Sequence, residues 1–130
     1  MQIGEVAECT GLSLRTIRYY GEVGLAEPSA RSQGGFRLYT EPDVERLKLI
    51  MRMKPLDFSL EEMGDLLEIL DGLQADGVAG ETRDSLLDRL RTYRAAADER
   101  ARALRKKLDV AEDFRRFMYE QSGRAAADRA

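Results

Sequence analysis

Hydrophobic positions in the first forty residues come in short helical bursts. Ile3, Val6 and Ala7 have helical spacing, and Thr10-Gly11-Leu12 breaks that pattern with a glycine suited to a tight turn. Ser13 is a good N-cap for a second helix from Leu14 to about Val23, with Leu14, Ile17 and Gly21 as its inner face. Gly24 ends that helix and Pro28 follows. Ala30-Arg31-Ser32 and Phe36-Arg37-Leu38-Tyr39 then flank Gln33-Gly34-Gly35, which predicts a short β-hairpin with glycines at its turn.

Two more helices are predicted over 40–72. Thr40 and Asp43 form an N-cap pair with Pro42 in the first turn, and Val44, Leu47, Ile50 and Met51 make one apolar face up to Pro55. Ser59-Leu60-Glu61-Glu62 is a capping box for the next helix, which buries Met63, Leu66, Leu67 and Leu70 and stops at Gly72. A loose acidic connector over 73–81 follows. From Thr82 to Tyr119 there is neither proline nor glycine, and apolar residues recur at Leu86, Leu90, Tyr93, Ala97, Ala101, Leu104, Leu108, Ala111, Phe114 and Met118. Their spacing averages about 3.6 residues, one helical stripe with a stutter near Ala97–Ala101. Residues 120–130 are expected to be a flexible tail. The fold class is therefore mainly α: a helix-turn-helix head over 1–72 with a small β-hairpin wing, then a long coiled-coil helix over 82–119.

The long helix calls for a partner. At about 1.5 Å per residue its 38 residues span roughly 57 Å. A compact unit of about 75 residues is only some 30 Å across. Much of the stripe would be bare on a single chain, so a homodimer is expected through Leu86, Leu90, Tyr93, Ala97, Ala101, Leu104, Leu108 and Ala111.

Composition narrows the function classes. The 130 residues hold 35% charged and 43% hydrophobic side chains, as folded domains do. The chain has no histidine, and Cys9 is its one cysteine. That excludes an intramolecular disulfide, a Ser-His-Asp triad and a histidine zinc site, so no enzyme and no cofactor are expected. Cys9 itself reads as a small, partly buried residue. There is no apolar run of membrane-spanning length and no basic leader, which points to the cytoplasm and to no membrane partner.

The net charge of −3 is unevenly spread: +1 over 1–54, −8 over 55–82 and +4 over 83–130. Within the first block, Cys9 to Gly21 and Pro28 to Thr40 contain no acid, and Arg15, Arg18, Arg31 and Arg37 fall in those two windows. A mildly acidic chain thus presents a locally basic face, as phosphate contact requires. On the second helix Arg15, Thr16, Arg18 and Tyr19 project outward within about two turns. Guanidinium groups suit phosphate oxygens and the guanine edge, and hydroxyls suit either. Arginines on a helix are ordinarily just a solvated face. Here they follow a tight turn and precede a glycine hairpin that carries two more.

Ile3-Gly4-Glu5-Val6-Ala7, Leu12-Ser13-Leu14-Arg15-Thr16-Ile17-Arg18-Tyr19-Tyr20, Gly24-Leu25, Gly34-Gly35-Phe36-Arg37-Leu38-Tyr39 and Phe58-Ser59-Leu60-Glu61-Glu62 closely resemble the MerR family of bacterial transcription regulators. The resemblance runs from residue 1 to about 70, with the motifs in the family's order and spacing. It implies a dimer whose paired antiparallel helices join two winged heads. Such a dimer binds double-stranded promoter DNA at a palindromic operator between the −35 and −10 elements, and bends and untwists an overlong spacer to realign them for RNA polymerase. By this similarity the DNA-contacting set is Arg15, Thr16, Arg18 and Tyr19 on the helix and Arg37 and Tyr39 on the wing, with Ser13, Tyr20, Arg31 and Ser32 as further candidates. Family wings often carry a tyrosine where this chain has Phe36.

The resemblance also bears on the signal. Metal-sensing members place cysteines near the start of the dimerisation helix and in a C-terminal loop, redox-sensing members need several for an iron–sulfur cluster, and this chain has neither set. Aldehyde-responsive members carry a cysteine in the head's later helices, where this chain has Met51 and Met53, and drug-sensing members add a ligand domain. The effector stays open, as does the sign of regulation. Two rival readings are an architectural or excisionase-like winged-helix protein, which usually lacks such a long helix, and a coiled-coil module whose head binds protein.

Overall fold

The computed structural model describes residues 1–75, 77 and 80–129. Helix α1 (Ile3–Thr10) ends on Gly11, whose φ of 75° turns the chain into the left-handed region. An L side chain is strained there, so glycine suits the turn. Helix α2 (Leu14–Glu22) opens as expected on Ser13, whose Oγ accepts from the Thr16 N–H. Strands β1 (Ala30–Arg31) and β2 (Arg37–Leu38) pair antiparallel, with Ala30 opposite Leu38 and Arg31 opposite Arg37. The hairpin expected from the glycines is therefore present, with strands of only two residues.

Helix α3 (Glu41–Met53) and helix α4 (Leu60–Gln74) each begin with a complete capping box, Thr40 with Asp43 and Ser59 with Glu62. A 3-10 turn over Lys54–Leu56 joins them, and Asp57 takes a positive φ of 56°. Residues from α1, α2, α3 and α4 meet in one core, including Val6, Ile17, Leu47, Ile50, Leu67 and Ile69. Helix α1 lies against α2 and α3, which fixes the orientation of α2 on the core.

Helix α5 runs over Gly80–Asp128. The chain divides into two compact units, Met1–Leu86 and Leu87–Ala130, so the first turns of α5 belong with the head. Among the described residues, no helix is long and apolar enough to cross a membrane.

Four local expectations are corrected. Leu14 is 41% exposed, so the inner face of α2 is built on Ile17 and Tyr20. Gly72 does not stop α4: an added Cβ there would lie 2.9 Å from Leu86 Cδ1, so the glycine lets the start of α5 approach the helix closely. Helix α5 begins two residues before Thr82 and continues nine residues past Tyr119. The alanines at 125–127 favour helix strongly enough to carry it through the unfavourable Gly123. Cys9 is exposed on α1. Residues 76, 78 and 79 of the expected connector and residue 130 of the expected tail lie outside the described residues.

Along α5 the expected stripe divides. Leu86 packs on Gly72 within the head's unit. Leu90, Tyr93 and Ala97 are half-buried, whereas Ala101, Leu104, Leu108 and Ala111 are exposed on the single chain. Val110, Phe117 and Tyr119, which the stripe did not include, are exposed as well, and the rings of Phe114 and Phe117 stack with centroids 6.3 Å apart.

Candidate nucleic-acid interface

The N-terminal turn of α2 is held by hydroxyls. Ser13 Oγ lies 2.9 Å from Thr16 Oγ1 as well as accepting from the Thr16 backbone. Both hydroxyls therefore serve the helix end, which fixes the first turn without a charged side chain. Beyond it Arg15, Arg18 and Tyr19 are exposed, at spacings that put them on one face. Tyr20 points the other way. It is only 3% exposed, its ring lies 5.9 Å from that of Tyr19, and Lys54 Nζ sits 5.9 Å from its centroid. Its carbonyl also accepts from the Leu25 and Ala26 N–H groups, closing the turn after α2. Tyr20 is thus a core residue that anchors α2, and its ring is withheld from any ligand on the exposed face.

The wing turn is stitched by Ser32. Its N–H donates to the Phe36 carbonyl at 2.8 Å, its carbonyl accepts from the Gly35 N–H, and its Oγ accepts from the Phe36 N–H. Gly35, at φ 82°, supplies the reversal. Phe36 projects into solvent at the wing tip, where its ring edge lies close to Gly34. Arg31 donates to the Gly35 carbonyl at 3.3 Å, and both Arg31 and Arg37 are exposed.

Helix and wing meet in a surface cleft of about 360 Å³ lined by Ile3, Arg18, Gly21, Glu22, Pro28, Arg37 and Tyr39. A second recess of about 320 Å³ shares Arg37 and Pro28 with it and is otherwise lined by Glu27, Ser29, Ala30 and Arg31. Arg37 is common to both hollows and so links Arg18 of α2 to Arg31 of the wing in a mainly basic wall, with Glu22 lining the first hollow and Glu27 the second. Tyr39 is 5% exposed and belongs to the wall of the cleft rather than to its rim. Burial pushes its phenol above the usual 10.0; Arg37 opposes that shift, Asp43 adds to it, and Arg18 opposes it. The phenol is therefore a neutral O–H at physiological pH.

The structure brings together Arg18, Arg37 and Tyr39 in one cleft and Arg31 with Arg37 in the adjoining recess, and keeps Arg15 and Tyr19 on the exposed face of α2. It commits Ser13, Thr16 and Ser32 to local hydrogen bonds and Tyr20 to the core. One participant was missed by sequence reasoning. Asp43, read as a helix cap, also accepts from Ser29 at the base of the wing. That bond joins residues 14 apart and leaves no local signature in the chain.

Comparison with known proteins gives two family matches. Residues 1–69 match the MerR HTH family regulatory protein, and residues 44–116 match the MerR DNA-binding family. The HTH-type transcriptional regulator ZntR of Escherichia coli K12 is 47% identical over 68 residues, covering 52% of this chain and 48% of that protein. The HTH-type transcriptional regulator CueR of Escherichia coli O6:H1 is 39% identical over 74 residues, covering 57% and 55%. The chain thus spans about half the length of these relatives. Among solved structures, a MerR family transcriptional regulator from Listeria monocytogenes superposes with a TM-score of 0.66 at 25% identity, over 86% of this chain and 80% of that one.

Proposed function

Because the chain belongs to the MerR family of helix-turn-helix regulatory proteins, we propose that it is a dimeric, sequence-specific transcription regulator that acts by distorting promoter DNA. The observation that carries this reading is the basic wall, in which Arg18 of α2 and Arg37 of the wing line one cleft while Arg31 extends the wall along the hairpin. A helix face bearing Arg15, Arg18 and Tyr19 suits the major groove, where guanidinium groups read guanine. A hairpin bearing two arginines suits the flanking phosphates, which fix orientation without reading sequence.

Two heads joined through α5 would engage a palindromic operator, each with one helix and one wing. Distortion follows from the division of labour between them. The helices set the register on the bases, while the wings pull on backbone beyond them, so the spacer between half-sites absorbs the strain as bend and twist. RNA polymerase is served indirectly, through the alignment of its two promoter elements. The effector is left open, and the site of action is the cytoplasm.

Fluorescence anisotropy tests this reading. The protein is titrated, at two salt concentrations, into a duplex taken from upstream of its own gene and into a scrambled duplex. Tight binding to the first alone, weakening steeply with salt, is the expected result. Equal weak binding to both would place the target elsewhere. Indifference to salt would count against DNA as the partner.

A further inference from the structure

The wing is a hairpin of two-residue strands, too small to hold its own angle on the head. What fixes it lies at its base, where the chain leaves the head at Ser29 and returns at Thr40. Both ends are gathered by one carboxylate. Asp43 Oδ2 accepts from the Ser29 N–H at 3.0 Å, from the Ser29 hydroxyl at 2.7 Å and from the Thr40 N–H at 2.8 Å. Ser29 Oγ and Thr40 Oγ1 lie 3.2 Å apart, so the two ends of the wing also touch each other. Asp43 stands in the first turn of α3, whose buried Val44 and Leu47 fix it to the core. Ser29 lines the same recess as Arg31 and Arg37 and stands two residues before Arg31 on the chain that leads into the wing.

We propose that Asp43 is a positioning residue for DNA binding, a clasp that ties both ends of the wing to α3 and so sets the angle at which Arg31 and Arg37 meet backbone phosphate. This rests on the DNA-binding reading above and adds the part that aims the wing. Electrostatics makes the idea unusually testable. Asp43 is an acid near a basic wall, and simple removal of its charge should strengthen attraction to DNA. Loss of the clasp should weaken it. The two roles have opposite signs.

The experiment measures affinity of the full chain for a mixed-sequence duplex across a salt series, because wing contacts to phosphate need no particular operator. In Asp43→Ala the slope of log affinity against log salt should become shallower by about 2–4 units per dimer, as if the phosphate contacts of Arg31 and Arg37 in both wings were lost. In an Arg31→Ala/Arg37→Ala background the same change should bring no further loss. Thr40→Ala, which breaks the capping box of α3 and the hydroxyl contact to Ser29 but leaves the three bonds to Asp43 Oδ2 in place, should stay close to the parent slope. Ser29→Ala, which removes one of those bonds without touching the helix cap, should move part of the way, and it covers the case in which Asp43→Ala fails to fold. Parent-like or tighter binding by Asp43→Ala would overturn the proposal. So would an equal loss in the background lacking both wing arginines, or an equal loss in Thr40→Ala. A parent protein that shows no salt-sensitive affinity for any duplex would instead refute the DNA-binding reading itself.

Discussion

Arg18 is the side chain on which the proposed readout turns, because it is the arginine of α2 that lines the cleft shared with the wing. It is exposed and caps nothing, so Arg18→Ala should leave the fold unchanged while weakening operator binding by about 1–3 kcal/mol. Anisotropy alongside circular dichroism checks this, and a variant of parental affinity would remove Arg18 from the contact set. Asp43 makes a second prediction, about acid. Burial pushes its carboxyl up, but the Thr40 N–H and the Ser29 hydroxyl and N–H outweigh that and hold it below the usual 3.8. A carboxyl lowered on folding stabilises fully above its unfolded value, and the gain is lost as pH falls through the folded one. The stability difference between the parent and Asp43→Asn should therefore be constant from pH 6 to 8 and shrink below about pH 4. Chemical denaturation across that range measures it, and a gap that stayed constant into acid would mean that the charge of Asp43 adds nothing to the folded state.

Elements whose signals are local were legible in the chain. Ser13, Thr40 and Ser59 each announce a helix start because a cap needs only a hydroxyl and an N–H two or three residues on, and all three caps are present. We expect Ser59→Ala to lower stability by about 1 kcal/mol, read as a shift in denaturation midpoint at unchanged slope. A midpoint equal to that of the parent would show that solvent replaces this cap without loss. Signals that depend on distant partners were not legible. Gly72 looks like a helix stop, yet its meaning comes from Leu86, fourteen residues on, which needs the missing side chain's space. Leu14 and Tyr20 were exchanged for the same reason. Period alone does not say which edge of an amphipathic face meets the core, and here Tyr20 is buried while Leu14 is exposed. The candidate site divides likewise. Its arginines stood out as acid-free windows, whereas the clasp that aims them joins residues no short motif connects.

At the scale of the whole molecule, the unanswered demand is the bare stripe of α5. Leu104 and Leu108 are 42% and 52% exposed on the single chain, with Phe114 and Met118 beyond them, in a segment where hydration of so much apolar surface is costly. A second copy of the same helix would cover it, and would also supply the second head that the proposed palindromic site requires. Because these leucines are exposed in one chain, charging them should leave each chain folded and strike only at association. Leu104→Glu/Leu108→Glu is therefore expected to sediment near the chain's own 14.7 kDa, and the parent near twice that. Operator binding should suffer far more than the loss of two distant leucines would suggest. Two linked heads bind the second half-site at high effective concentration, so separating them should cost about 10²-fold or more in affinity. A double variant that still sedimented as a dimer would mean that the chains associate through another surface. One that became monomeric yet bound the operator undiminished would mean that a single head suffices, and that the bend attributed to paired wings has no second point of purchase.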